Sequence, residues 1–479
     1  MRLIGRTYEQ YELERIMASD QSEFTVIYGR RRVGKTFLVR EYFQQRFAFY
    51  HTGMANTERD EQLKNFNSSL HKYGDMPYPP VNTWIETFEQ LIHLLSHKTQ
   101  KAKKVVFIDE MPWMDTQNSG FIQALEFFWN SYASAQHNIL LIVCGSATSW
   151  MMNNLIKNHG GLHNRITRQI YLRPFTLAEC EAYFKTKNIV INRHQIVENY
   201  MIFGGVPYYL SLMKKEYSMA QNIDNLCFRE KGELTEEFEN LYASLFKRCE
   251  NHVKIVEALS RKMQGLTRDE IIKQTKLTNG GGLTKTLNEL DLCGFIRKYK
   301  GFKKKTRDSL YQLTDFFTLF YFNFMQNNKF DDEHYWTNFI ENARHRAWSG
   351  YSFEQVCMAH IPQIKHKLGI SGILTNVSSW RSKELERGAQ TDLAGAQIDL
   401  VIERNDKVIN LCEMKFANTQ FVIDKKYDEV LRHKRATFQA ELNLRKAVHL
   451  TMITTYGLSH NEYWNNVQSE VTMENLFEL

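Results

Sequence analysis

Four residues with a fixed spacing, Gly29, Gly34, Lys35 and Thr36, fit the phosphate-loop pattern G-x-x-x-x-G-K-[ST]. Glycines let backbone N–H groups face a phosphate, the lysine reaches the β- and γ-phosphates, and the threonine hydroxyl binds Mg²⁺. An apolar run precedes the loop and a helical pattern follows it, as such a loop requires. The predicted nucleotide-binding residues are Gly29, Arg30, Arg31, Arg32, Val33, Gly34, Lys35, Thr36 and Phe37.

An acidic pair, Asp109 and Glu110, ends the apolar segment 104–109 and supplies the second half of a nucleotide site. A carboxylate here can hold Mg²⁺, so Asp109 joins Thr36 as a predicted metal ligand, and Glu110 can orient the attacking water. Ser146 and Thr148 end the next apolar segment. Either hydroxyl can sense the γ-phosphate, or these residues only cap a helix.

A second group of charged residues lies near the end of the chain. Two strand-like runs, 398–403 and 408–416, flank a turn at 405–407, and this spacing places Asp399 opposite Glu413 with Lys415 on the same face. Glu354, on a preceding helical stretch, is available to join them. Paired carboxylates collect Mg²⁺ or Mn²⁺, here at Asp399 and Glu413, and a lysine can assist attack on a phosphate. The alternative is a hairpin whose charges face solvent.

The elements that must position the first group alternate along residues 24–175. Apolar strand-like runs at 24–28, 47–50, 104–109, 138–146 and 169–175 are separated by helical patterns at 59–73, 84–96 and 121–135. Strands alternating with helices predict an α/β fold with a doubly wound parallel sheet, and the site lies at the carboxyl ends of its strands.

A basic segment follows at 252–315, where 14 Lys and Arg stand against 7 Asp and Glu, an excess equal to the net charge of +7 of the whole chain. Its order of elements, three helices followed by a hairpin, predicts a winged helix. In that fold Thr284, Lys285 and Asn288 would face a major groove. The alternative is a winged helix that contacts protein. The predicted phosphate contacts on the wing are Lys300, Lys303, Lys304, Lys305 and Arg307.

The totals exclude several other classes of protein. A length of 479 residues suggests about three domains. No run approaches 18 apolar residues, so no membrane helix is expected. The charged start lacks the apolar core of a signal peptide. Seven scattered cysteines without a CxxC pair argue against a zinc site and a disulfide framework and favour a cytoplasmic location.

The stretches FTVIYGRRRVGKTFLVREYF, VVFIDEMPWMD, VCGSATSWM, LHNRITRQIYLRPFT and FGGVPYYLSLM resemble the archaeal-ATPase family, which belongs to the AAA+/STAND-like P-loop NTPases. The resemblance implies that Asp109 and Glu110 are the Walker B pair and that Ser146 lies in the sensor-1 strand. It also implies that Arg165 is a γ-phosphate arginine, acting within its own chain or on a neighbouring subunit of a homo-oligomer. The alternative is a surface arginine paired with an acid.

The charged group near the end of the chain resembles the site of the PD-(D/E)XK nuclease fold, matched at Glu354, Asp399, Glu413 and Lys415. A domain of this restriction-endonuclease-like type is often attached to ATPases of this family. The organisation expected from both resemblances is a P-loop, AAA+-like ATPase core at 1–175, a helical lid at 176–245, a winged helix at 246–330 and a nuclease-like α/β domain at 331–479.

Two functions are consistent with these observations. In the first, an ATPase that requires ATP and Mg²⁺ acts on double-stranded DNA through the winged helix and cuts it at the C-terminal site, with Mg²⁺ or Mn²⁺. In the second, a STAND-like regulatory ATPase uses its C-terminal domain to bind DNA or protein without cutting. Metal-dependent nicking of DNA separates the two.

Overall fold

The protein is described by a computed structural model that covers residues 3–99, 102–157, 160–162, 164–246, 248–303, 309–328, 332–339, 342–382, 396–443 and 445–478. The chain divides into two compact units, Met1–Pro174 and Phe175–Leu479. Within the described residues, no helix is both long and apolar enough to cross a membrane.

The first unit is built on a parallel five-stranded sheet with the order β2-β3-β4-β1-β5. The strands are β1 (Glu23–Tyr28), β2 (Phe49–Thr52), β3 (Lys104–Asp109), β4 (Ile139–Gly145) and β5 (Arg168–Tyr171). Its helices are α1 (Thr7–Ala18), α2 (Lys35–Tyr42), α3 (Arg59–Tyr73), α4 (Trp84–His97), α5 (Phe121–Ser131) and α6 (Thr148–Met151).

Both faces of this sheet are covered, which is why its central strands are apolar throughout. All side chains of β3 and β4 are buried, and one core on each face contains residues from α3–α5 and from α1–α2 respectively. The predicted doubly wound α/β sheet is therefore confirmed. The second strand begins two residues later than the predicted start at 47.

The second unit begins with helices α7 (Leu177–Thr186), α8 (Arg193–Phe203), α9 (Pro207–Ser211), α10 (Met219–Ile223) and α11 (Glu237–Leu245). The Thr176 hydroxyl oxygen accepts a bond from the Glu179 N–H, and the Thr176 N–H donates to the Glu179 carboxylate, which fixes where α7 starts. The predicted turn at Gly204–Gly205 separates α8 from α9, and both glycines have positive φ, 62° and 66°.

The basic segment contains α12 (Glu250–Ser260), β6 (Leu266–Thr267), α13 (Arg268–Thr275), α14 (Gly281–Leu292), β7 (Ile296–Tyr299) and β8 (Leu310–Leu313). The strands form an antiparallel sheet in the order β6-β8-β7. The predicted capping of α13 by Thr267 and Glu270 is present. The aromatic stretch after β8 forms the buried helix α15 (Phe316–Phe320), as predicted for a connecting segment.

The end of the chain folds around a second five-stranded sheet with the order β13-β12-β11-β10-β9. Strands β9 to β11 are antiparallel, whereas β11, β12 and β13 are parallel. The strands are β9 (Thr375–Arg381), β10 (Gln397–Arg404), β11 (Val408–Lys415), β12 (Ala447–Thr454) and β13 (Ser469–Thr472). The helices of this part are α16 (Tyr335–Phe339), α17 (Ala343–Ala359), α18 (Ile361–Lys367) and α19 (Lys425–Leu442).

Candidate functional site

The loop after β1 has the backbone of a phosphate cradle. Gly29 has φ +149°, and a Cβ atom there would lie 2.3 Å from the carbonyl oxygen of Leu172, so a larger residue cannot be accommodated. Gly34 has φ +88° and is the N-cap residue of α2, whose N-terminal N–H groups face the loop. The predicted strand–loop–helix is confirmed.

The side chains of the loop and of the adjacent strand meet at this edge of the sheet. Lys35 is buried, and its Nζ donates hydrogen bonds to the carbonyl oxygens of Gly29 and Arg30 at 2.9 Å each. The Thr36 hydroxyl donates to Asp109 Oδ2 at 2.7 Å. Burial raises the pKa of the Asp109 carboxyl, and the bond from Thr36 lowers it. A hydroxyl beside a carboxylate, next to a lysine, is a donor set that fits Mg²⁺ and a nucleotide phosphate.

Glu110 and Ser146 are also brought together, although they end different strands. Glu110 has a positive φ of 45°, and its Oε2 accepts hydrogen bonds from the Ser146 hydroxyl at 2.9 Å and the Ser146 N–H at 3.3 Å. Because β3 and β4 are neighbours, their carboxyl ends place these residues side by side. Ser146 therefore orients the Glu110 carboxylate.

Arg165 lies at the other edge of the same sheet. It is exposed in the turn before β5, and the nearby Thr167 N–H pairs with the Phe24 carbonyl at the start of β1. The phosphate loop follows Tyr28 at the far end of that strand, roughly 13 Å further along at about 3.3 Å per residue. The structure does not bring Arg165 to the phosphate loop of its own chain, so its predicted role stays a prediction for a neighbouring subunit.

In the second unit, the hairpin of β10 and β11 has the predicted register. Leu400 pairs with Cys412 and Glu403 with Ile409, so Asp399 and Glu413 occupy the next opposed positions. Together with Glu354 on α17 and Lys415, Asp399 lines a cleft of about 980 Å³. The structure therefore groups three of the four predicted residues along this cleft, which we call the basic cleft.

Glu413, opposite Asp399, is hydrogen-bonded to two side chains of α19. Its Oε1 accepts a hydrogen bond from Lys434 Nζ at 2.7 Å, and its Oε2 accepts one from the Tyr427 hydroxyl at 3.4 Å. Across the described residues, no three His, Cys, Asp or Glu side chains are arranged to hold a metal ion. Glu413 is therefore paired with a lysine, and Mg²⁺ or Mn²⁺ at Asp399 and Glu413 stays a prediction.

The clustering of carboxylates changes the ionisation of Glu354. Burial raises the pKa of its carboxyl to about 9, and the charges of Asp399 and Glu413 add to this shift, while Lys415 and Lys434 oppose it. Glu354 is therefore protonated near neutral pH. An uncharged acid is a hydrogen-bond donor and a weak cation ligand.

The exposed face of α14 is where the sequence predicts it. Thr284, Lys285 and Asn288 are all exposed, and Lys285 lies 4.0 Å from Glu289. On the predicted wing, Lys300 and Lys303 are exposed. Lys304, Lys305 and Arg307 lie outside the described residues.

The segment after β7 also contacts the C-terminal sheet. This contact was not predicted from the sequence. Phe302 is only 4% exposed, its N–H donates to the Ser379 carbonyl at 2.7 Å, and its ring centroid lies 5.4 Å from that of Phe438. Gly301 forms a parallel bridge with Ser379. This segment therefore packs within the second unit, and both interpretations of the basic segment, nucleic-acid binding and protein contact, stay predictions.

Residues 3–213 match the model of a family described as an ATPase domain predominantly from Archaea. This match begins in the first unit and extends past α9 of the second. A Walker-type ATPase of Pyrococcus abyssi has a similar fold, with 20% sequence identity and a TM-score of 0.50 over 67% of this chain and 96% of that chain. An uncharacterized protein of Methanocaldococcus jannaschii is 24% identical over 416 residues, which is 86% of this chain and 87% of the relative.

One residue that contacts the phosphate loop was not predicted from the sequence, because its partners are distant along the chain. Arg6 is 6% exposed, and its guanidinium donates to the carbonyl oxygens of Arg173 at 2.6 Å and of Val33 at 3.1 Å. Val33 belongs to the phosphate loop, so Arg6 ties the loop to the end of the sheet. Its only sequence signal is an isolated Ile-Gly-Arg before α1.

Proposed function

We propose that this chain binds and hydrolyses ATP with Mg²⁺ at the P-loop site. The contact that carries the proposal is the 2.7 Å hydrogen bond between the Thr36 hydroxyl and Asp109 Oδ2, because these two oxygens are the ligands that a P-loop site offers to Mg²⁺. A bound Mg²⁺ would neutralise charge on the phosphate oxygens.

Each side chain of the site then has a defined task. Lys35 exchanges its bonds with two loop carbonyls for phosphate oxygens and compensates their charge. Glu110 orients and deprotonates the attacking water, and the Ser146 hydroxyl holds its carboxylate in place. Arg6 and the two glycines keep the loop open for the phosphates.

Phosphate release from ATP tests this assignment. Glu110→Gln keeps the shape of the side chain but cannot accept a proton, so we expect ATP to bind normally and hydrolysis to fall by roughly 10²-fold. Lys35→Ala should lose ATP binding itself. The exposed Glu61 and Lys64 on α3 provide the matched controls Glu61→Gln and Lys64→Ala. Wild-type hydrolysis by Glu110→Gln would exclude Glu110 as the base.

We further propose that the second unit binds DNA, as the regulatory type of ATPase would, without cutting it. The excess charge of the chain lies in the segment 252–315, and the exposed face of α14 follows the order of elements expected of a winged helix. The ion pair between Glu413 and Lys434 favours binding over metal-dependent cleavage, since a lysine already satisfies this carboxylate.

Two assays separate the alternatives. Binding of duplex DNA should weaken steeply with salt, and Lys285→Ala should reduce the salt slope by about one unit, whereas Lys426→Ala on α19 should not. Supercoiled plasmid incubated with ATP and Mg²⁺ or Mn²⁺ should remain intact. Nicking that is lost in both Asp399→Ala and Lys415→Ala would instead establish the nuclease.

A further inference from the structure

The basic cleft is formed by three parts of the second unit. One wall is the segment 297–303, a second is α17, and the third is the β9–β11 part of the C-terminal sheet. Its volume of about 980 Å³ is at the upper end of the roughly 300–1,000 Å³ found for pockets that hold small ligands.

The side chains that line the basic cleft carry an excess of positive charge, which favours binding of an anion. Four lysines and three arginines line it, against the three carboxylates Glu354, Asp399 and Glu403. Glu403 is paired with Lys446 at 2.7 Å, and Asp399 accepts a bond from the Gln397 amide at 2.5 Å. The cleft therefore has a positive potential.

Arg297 shows where an anion would bind. Its Nη2 donates to the amide oxygens of Gln312 at 2.6 Å and Gln355 at 3.3 Å, and its buried Nε has no hydrogen-bond partner among the described residues. No described carboxylate forms a salt bridge with it, and burial lowers its pKa. A desolvated guanidinium with an unused donor is a site for a phosphate or another oxyanion.

The wall made by the segment 297–303 limits what can enter. Phe302 and the Gly301–Ser379 bridge anchor this segment to the C-terminal sheet. β7 and β9 therefore form opposite sides of the cleft, and the cationic surface between them is concave. Even a single small module buries at least about 600 Å² of protein surface against a duplex, so a duplex would have to extend beyond the cleft. Tyr299 also lines the cleft and is only half-buried, so part of its ring is accessible for an unpaired base to stack on.

We propose that the basic cleft binds a short run of unpaired nucleotides, with a phosphodiester at Arg297 and Arg381 and a base against Tyr299. The proposal rests on the proposed DNA binding by the second unit and adds the class of substrate, a single strand next to a duplex. A free short oligonucleotide has the same chemistry, and the experiment distinguishes the two sources.

The test compares the affinity of the full chain for four fluorescent probes: a blunt duplex, the same duplex with a single-stranded tail, the tail strand alone, and a dinucleotide. We expect the tail to tighten binding at least tenfold over the blunt duplex. Arg297→Gln and the exposed-residue variant Lys298→Gln should remove this gain without changing blunt-duplex binding, and Lys426→Ala should leave it intact. Lys298→Gln protects the test against misfolding of the Arg297 variant.

The other outcomes are equally informative. Equal binding of tailed and blunt duplexes by wild type would overturn the proposal while leaving DNA binding in place. No binding of any nucleic acid would overturn the proposed DNA function as well. Tight binding of the dinucleotide that is lost in Arg297→Gln would support the cleft as the binding site and identify a free oligonucleotide as its ligand. If Arg297→Gln weakens binding of the tailed duplex alone, the ligand is a single strand within DNA.

Discussion

Glu413 Oε1 accepts a 2.7 Å hydrogen bond from Lys434 Nζ, and this contact joins the central strand β11 to α19. The Glu413 side chain is 7% exposed and that of Lys434 is 20% exposed, so the pair is largely shielded from water. A charge buried in this way requires a partner. Lys434 supplies it at the position where a nuclease would present Glu413 to a cation.

Lys434→Ala should destabilise the second unit by about 3 kcal/mol, the lower end for breaking a buried pair, because Glu413 is left without its counter-charge. Adding Glu413→Gln should recover part of this loss. Denaturant unfolding of wild type, both single variants and the double variant measures the coupling. Additive effects would show that the two side chains do not stabilise each other.

The raised pKa of Glu354 predicts a pH-dependent stability. Between the ordinary glutamate pKa near 4.3 and the folded value of about 9, the folded state holds a proton that the unfolded state has released. The stability contributed by this group is complete below the lower value and is lost as pH rises toward the higher one.

Glu354→Gln mimics the protonated carboxyl and removes this titration. The free energy of unfolding should therefore fall less between pH 5 and pH 9 in Glu354→Gln than in wild type. Denaturant unfolding of both proteins at a series of pH values measures this difference. Exposed Glu429 on α19 gives the control Glu429→Gln. Parallel curves for wild type and Glu354→Gln would contradict the assignment.

Arg6→Ala should weaken ATP binding about tenfold, because the Val33 carbonyl of the phosphate loop loses a charged hydrogen bond worth about 1.5–3 kcal/mol. A fluorescent ATP analogue measures the affinity, and a thermal melt reports any general loss of stability. Arg59→Ala, at an exposed pair with Asp60, is the control. Unchanged affinity in Arg6→Ala would limit Arg6 to a structural role elsewhere.

The parts of the site that could be predicted from the sequence are those whose geometry depends on residues close together along the chain. Gly29 to Thr36 adopt their geometry because the loop closes between adjacent elements, and Asp109 and Ser146 end neighbouring strands. The register between β10 and β11 follows from a three-residue turn, which is also a local feature.

The contacts that escaped prediction depend on tertiary packing. Lys434 lies 21 residues from Glu413, and Arg6 lies 27 residues from Val33 and 167 from Arg173. Phe302 stands in a lysine-rich segment, so the sequence predicts an exposed loop residue there. Its burial becomes evident only once the position of the sheet that it packs against is known. Such pairings require the positions of whole elements, which periodicity and spacing do not supply.

The most direct test of the account is the Mg²⁺ dependence of ATP hydrolysis in wild type and Thr36→Val. The variant keeps the shape of the side chain but removes the hydroxyl that lies 2.7 Å from Asp109 Oδ2. We predict that wild-type phosphate release rises with Mg²⁺ and saturates, and that Thr36→Val binds ATP in EDTA but hydrolyses it at least 10²-fold more slowly at every Mg²⁺ concentration. Mg²⁺-dependent hydrolysis by Thr36→Val at the wild-type rate, or no hydrolysis by wild type, would contradict the account.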